Sequence, residues 1–122
     1  MTNPTSSSPA ETAGPTGLGP TLERLEATIA RRRGASPDNS YVAQLFTKGV
    51  NKIAQKVGEE AVETVIAALS ESPKALVGEA ADLIFHLAVL LSAKDIPLSA
   101  VMTELDRRDG ISGLAEKAAR QF

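Results

Sequence analysis

The sequence predicts an all-α fold, a helical bundle of about five helices. Apolar residues recur at helical spacing, and no stretch sustains the period-two alternation of a half-buried strand. Aromatic residues, which favour strands, make up only 3% of the chain.

A first helix is expected from Pro20 to about Arg33, with Leu22, Leu25 and Ile29 on one face and Gly34 as its stop. Arg31, Arg32 and Arg33 at its end suit a solvated run that complements the helix dipole. Ser40 is a good N-cap for a short second helix, which carries Val42, Leu45 and Phe46 up to Gly49. A long third helix covers roughly Val50 to Leu69. Ser72-Pro73 reads as cap and first-turn proline of a fourth, from Pro73 to about Ala93. A fifth, Pro97 to Arg108, places Leu98, Val101, Met102 and Leu105 at i, i+3, i+4 and i+7. The remainder, Ser112 to Phe122, fits either one weak helix or a loose tail.

Residues 1–19 are rich in Pro, Ser, Thr and Gly, so a disordered tail is expected before one folded domain over residues 20–122. So small a bundle has a limited core, and burying a helix face against a second copy would help it.

Composition removes several classes of function. A net charge of −2 and a pI near 5.4 argue against nucleic-acid binding by bulk electrostatics. There is no cysteine, which excludes disulfides, thiolate zinc sites, iron–sulfur clusters and cysteine nucleophiles. One histidine excludes His-rich metal sites as well. The apolar run Leu83 to Leu91 is too short to span a bilayer, and residues 1–20 lack the pattern of a signal peptide. The expectation is a cytoplasmic protein with no membrane association.

The third and fourth helices carry the chemistry. Glu59-Glu60-x-x-Glu63 is followed after fifteen residues by Glu79-x-x-Asp82. At about 100° per residue, Lys52, Lys56, Glu59, Glu60 and Glu63 share an arc of roughly 100°. Ile53, Val57, Ala61, Val65 and Ala68 lie opposite, with Val62, Ile66 and Leu69 widening the apolar side. On the fourth helix Glu79, Asp82 and His86 fall within an arc of roughly 60° on an otherwise apolar cylinder. From Glu59 to Asp82 there are six acids and one lysine, so local ion pairing cannot compensate them. Hard carboxylate oxygens in that arrangement suit a hard divalent cation, most simply Mg²⁺. His86 reads as a core group that orients Asp82 one turn away.

An oxygen-ligand cluster beside lysines suits polyphosphate hydrolysis by direct attack of water, with Glu59 accepting its proton. Lys48, Lys52 and Lys56 are candidates for phosphate contact on charge and placement. No serine or threonine has a visible activating partner, which argues against covalent catalysis.

The Glu-Glu-x-x-Glu…Glu-x-x-Asp pattern resembles the all-α nucleoside triphosphate pyrophosphohydrolase (MazG-like) superfamily. The segments SYVAQLFTKGVNKIAQKVGEEAVETVIAA, GEAADLIFHLAVLL and SGLAEKAAR are similar to the phosphoribosyl-ATP pyrophosphohydrolase family in particular. That resemblance implies the second step of histidine biosynthesis, in which water and Mg²⁺ convert phosphoribosyl-ATP to phosphoribosyl-AMP and pyrophosphate. Carried over by position, Glu60, Glu63, Glu79 and Asp82 would be metal ligands, with Glu59 as base or as a support for the ligands. The resemblance also implies a homodimer. Many relatives are fused to a cysteine-dependent zinc cyclohydrolase, and a chain without cysteine is expected to be monofunctional. The competing readings are a house-cleaning nucleoside triphosphate pyrophosphatase and a non-catalytic helical dimerisation module with an acidic face.

Overall fold

The computed structural model describes residues 14–111 and 113–120. Six helices and no strand are present among them: α1 (Leu18–Arg32), α2 (Tyr41–Lys48), α3 (Val50–Ser70), α4 (Pro73–Ala93), α5 (Leu98–Arg108) and α6 (Gly113–Arg120). The all-α expectation holds. Of the tail expected over residues 1–19, residues 1–13 lie outside the described residues, and α1 begins at Leu18, two residues ahead of Pro20.

Local chemistry explains most of the boundaries. The Ser40 hydroxyl accepts from the Ala43 amide at 3.1 Å and starts α2, and Ser72 does the same for α4 through Ala75 at 3.1 Å, with Pro73 in the first turn. Gly49 alone separates α2 from α3, with a φ of 96° that side-chain-bearing residues rarely adopt. The Leu98 amide at the start of α5 follows a proline and finds its acceptor in Glu26 Oε2 of α1, at 2.7 Å. Of the two alternatives for the last segment, the helix forms, as α6.

The antiparallel pair α3 and α4, joined through Glu71 and Ser72, makes the most extensive contact in the fold, and α1 and α2 pack against it. The core gathers Ile29, Val42, Leu45, Ile53, Ala88 and Val89, with Phe46, Phe85 and Leu98 against it. It therefore sits where the first half of α3 meets the second half of α4. Arg33 closes this end. Its guanidinium donates to the Ser92 carbonyl at 3.0 Å, pairs with Asp95 and lies 4.5 Å from the Phe46 ring centroid. The arginine run is thus a solvated complement to the dipole only in part, because Arg33 clamps the end of α1 onto the end of α4.

One face departs from expectation. The buried line of α3 is Ile53, Glu60 and Ala67, spaced seven apart, whereas Val62, Val65, Ile66 and Leu69 are exposed. Val77, Ile84 and Leu87 of α4 are exposed too. The physical reason is geometric: α1 and α2 reach only one end of the hairpin, so a single chain leaves the broad apolar side of α3 uncovered. By length and composition α4 would reach across a bilayer, a property the shorter run Leu83 to Leu91 does not convey. Its midsection, however, carries Glu79, Asp82 and His86, and it packs along α3.

Candidate metal centre

Glu60 from α3 meets Glu79 and Asp82 from α4. Each offers one carboxylate oxygen, and these three oxygens lie within 4.8 Å of one another. The group grades from buried Glu60 (7% exposed) through half-buried Glu79 to exposed Asp82, so it opens to solvent on one side. Glu60 Oε1 and Glu79 Oε1 are both buried, and neither has a hydrogen-bond partner. A buried acceptor left unsatisfied costs about 1–3 kcal/mol, and more when charged.

The neighbouring charges account for the rest. Lys56 Nζ lies 3.9 Å from Glu60 Oε2 and 3.4 Å from Glu59 Oε1, so it compensates one oxygen of Glu60 and leaves the other. Its hydrogen bond to Glu59 is the main reason the Lys56 ammonium titrates above its ordinary range. Burial, then the charge of Glu63 and a hydrogen bond with it, push the Glu79 carboxyl above the usual carboxylate range, and Asp82 and Glu60 add to this.

The sequence-derived candidates therefore separate. Glu60, Glu79 and Asp82 converge, and Glu63 bears on Glu79 through its charge but stands outside the close trio. Glu59 faces water, with its Oε2 accepting from Gln55 Nε2 at 2.7 Å; Gln55 first and Lys56 second hold its carboxyl below the ordinary range. Lys56 touches the acids, and the charge of Lys52 reaches Glu59. Lys48 lies exposed in the last turn of α2.

Other contributors were not read from the sequence. Gln55 was legible in principle, as a Gln–Glu pair at i, i+4. Tyr41 had no such signal: its hydroxyl reaches His86 Nε2 at 2.9 Å, across 45 residues. His86 is a core group, as expected, but it meets Asp82 at the main-chain carbonyl, with Nδ1 at 2.8 Å, and not at the carboxylate.

An all-oxygen donor set, with two buried oxygens lacking partners, fits a hard divalent cation and not a thiophilic or imidazole-seeking metal. Fold and site together describe an all-α protein whose central helix pair offers a carboxylate centre suited to such a cation. The chain belongs to the phosphoribosyl-ATP pyrophosphohydrolase family, which it matches over residues 22–109. It is 67% identical over 100 residues to the phosphoribosyl-ATP pyrophosphatase of Erythrobacter litoralis, covering 82% of this chain and 96% of that one. The protein of that name from Novosphingobium aromaticivorans is 68% identical over 102 residues, covering 84% and 95%. That from Zymomonas mobilis is 62% identical over 100 residues, covering 82% and 94%.

Proposed function

We propose that this chain hydrolyses phosphoribosyl-ATP to phosphoribosyl-AMP and pyrophosphate, the second step of histidine biosynthesis. The observation that carries the reading is the pair of unpartnered buried oxygens on Glu60 and Glu79 beside Asp82, in a chain of this family. Glu60, Glu79 and Asp82 would hold Mg²⁺, and Glu63, whose charge bears on Glu79, would join them. When bound, Mg²⁺ supplies charge neutralisation for the polyphosphate and a lowered pKa for attacking water.

The chain's own groups have separable tasks. Lys56 holds Glu59 and Glu60 in register and presents positive charge at the mouth of the acid cluster. Lys52 and Lys48 extend that charge toward the incoming polyphosphate. Glu59 accepts the proton of the attacking water. It is ionised at neutral pH and oriented by Gln55, and its exposure lets the proton leave to solvent.

The bare apolar side of α3 and α4 supports a homodimer, in which Val62, Val65, Ile66 and Leu69 are covered by a second copy. The overall negative charge supports a small-molecule substrate over nucleic acid, and the relatives' bacterial biosynthetic role supports the cytoplasm with no membrane partner.

The deciding assay is pyrophosphate release from phosphoribosyl-ATP, compared with a panel of nucleoside triphosphates, each with Mg²⁺ and with EDTA. Metal-dependent turnover of phosphoribosyl-ATP, well above any triphosphate, is expected. Comparable turnover of an ordinary triphosphate would sink the assignment.

A further inference from the structure

Tyr41 is the single tyrosine of a chain without tryptophan, and its ring is fixed from several directions. Phe85 stacks on it at 6.0 Å between centroids with an interplanar angle of 21°. His86 meets it edge-on at 5.7 Å and 81°. The direction of the hydroxyl bond follows from the other side of the imidazole. Nδ1 faces the Asp82 carbonyl at 2.8 Å, which can only accept, so the ring proton resides on Nδ1. In the neutral imidazole Nε2 is then a bare acceptor, to which the Tyr41 hydroxyl donates at 2.9 Å. His86 is buried, so the acceptor end of this strut is held in the protein interior. The buried Ser40 cap fixes the start of α2 immediately before Tyr41.

Despite these restraints Tyr41 is 45% exposed. A ring pinned by its hydroxyl and backed on one face has already lost its rotamer freedom, so a ligand stacking on it meets little further ordering cost. Its place is also specific. Through His86, one helical turn from Asp82, Tyr41 is tied to the acid-bearing stretch of α4. An aromatic platform therefore stands beside that stretch.

We propose that Tyr41 receives the purine base of the nucleotide on its exposed side, with His86 as its positioning residue. The proposal rests on the function proposed above and names the group that recognises the base. Stacking is sequence-tolerant because every base has a π-face, so Tyr41 contributes affinity for a nucleotide over bare polyphosphate.

Because Tyr41 is the sole emitter of its kind, its fluorescence reads the contact directly in the wild-type chain. The probes are the two products, phosphoribosyl-AMP and pyrophosphate, each titrated with Mg²⁺ and corrected for absorbance against free N-acetyltyrosinamide. Phosphoribosyl-AMP is expected to quench Tyr41, and pyrophosphate, which has no base, to leave its emission unchanged. An equal response to both, or none at saturating phosphoribosyl-AMP, would overturn the proposal.

Kinetics give the second readout. Tyr41→Leu should raise KM roughly 10-fold with kcat retained, whereas Tyr41→Phe keeps the ring but loses the strut to His86 and should raise KM less, by about threefold. His86→Phe, which removes the acceptor, should raise KM by the same smaller factor as Tyr41→Phe; a loss of thermal stability alone would deny His86 the positioning role. Normal turnover with unchanged KM in Tyr41→Leu removes the proposal and leaves the function standing. Absence of pyrophosphate release by the wild-type chain removes both.

Discussion

Glu60 Oε1 on α3 and Glu79 Oε1 on α4 are both buried without a hydrogen-bond partner, and burial first, then Glu63 and the other acids, raise the pKa of Glu79. A carboxyl whose folded-state pKa lies above its unfolded value contributes stability that is fully present below the unfolded pKa and is lost as pH rises through the folded one. At neutral pH an ionised Glu79 therefore works against the fold until a cation arrives.

Glu79→Gln should accordingly raise the melting temperature of the metal-free protein at pH 7. The same substitution should remove the stabilisation by Mg²⁺, which in the wild type amounts to about 2.7 kcal/mol at one hundred times Kd. Hydrolysis should fall by at least about 100-fold, since a lost metal contact removes several kcal/mol of transition-state stabilisation. Calorimetry with and without Mg²⁺ checks this. A lower metal-free melting temperature, or an intact Mg²⁺ response, would contradict it.

Lys56 sits between Glu59 and Glu60, so it competes with a metal ion for the same negative charge. Lys56→Met should tighten Mg²⁺ binding in the absence of nucleotide while raising KM for phosphoribosyl-ATP about 10-fold. Stability should change little, because partly exposed ion pairs contribute about 0–1 kcal/mol. Isothermal titration of Mg²⁺ beside steady-state kinetics separates the two effects. If both affinities weakened together, the assignment of Lys56 to the phosphates would be wrong.

Glu104 offers a pH test remote from the site. Hydrogen bonds from Arg107 and Arg108 pull its carboxyl down to about 2. For a depressed carboxylate, stability is present above the unfolded pKa of 4.5 and is lost as pH falls toward 2. The stability gap between wild type and Glu104→Gln should therefore hold from pH 7 down to about 4.5 and close below it. Carbon-detected NMR titration of the Glu104 carboxyl reads the midpoint directly, and a value near 4.5 would show that the arginines do not hold it.

How much of this was legible depends on whether the signal was local. Helix ends set by Ser40, Ser72-Pro73 and Gly49 follow from side-chain and backbone chemistry within a few residues, and they fall where the sequence places them. The gathering of Glu60, Glu79 and Asp82 followed from helical phase on two helices joined by a short turn. Tyr41 was invisible for the opposite reason: its partner is on another helix, and nothing in the spacing marks the pair. The wheel also misassigned inside and outside on α3. It ranks faces by hydrophobicity, but the face buried within one chain is the one that meets α4, and that line includes Glu60. The more apolar face awaits a different neighbour.

That face gives the most exposed test of the proposed assembly. Val62, Val65, Ile66 and Leu69 lie along one side of α3 at 59%, 57%, 47% and 82% exposure, too much contiguous apolar surface for a helix that stays in water. In a two-fold dimer a substitution appears on both subunits. Ile66→Asp thus places two carboxylates in the interface, each unpaired and desolvated at a cost of several kcal/mol. At about 1.4 kcal/mol per tenfold, the dissociation constant should rise by at least about a thousandfold. Sedimentation velocity at micromolar concentration should then show wild-type dimers and Ile66→Asp monomers, with helical circular dichroism retained because Ile66 is not part of the buried core. Thr64→Asp is the control: Thr64 is half-buried and its hydroxyl bonds the Glu60 carbonyl at 2.7 Å, off the exposed apolar stripe. Monomers in both variants would point to general destabilisation, and dimers in both would place the subunit contact elsewhere.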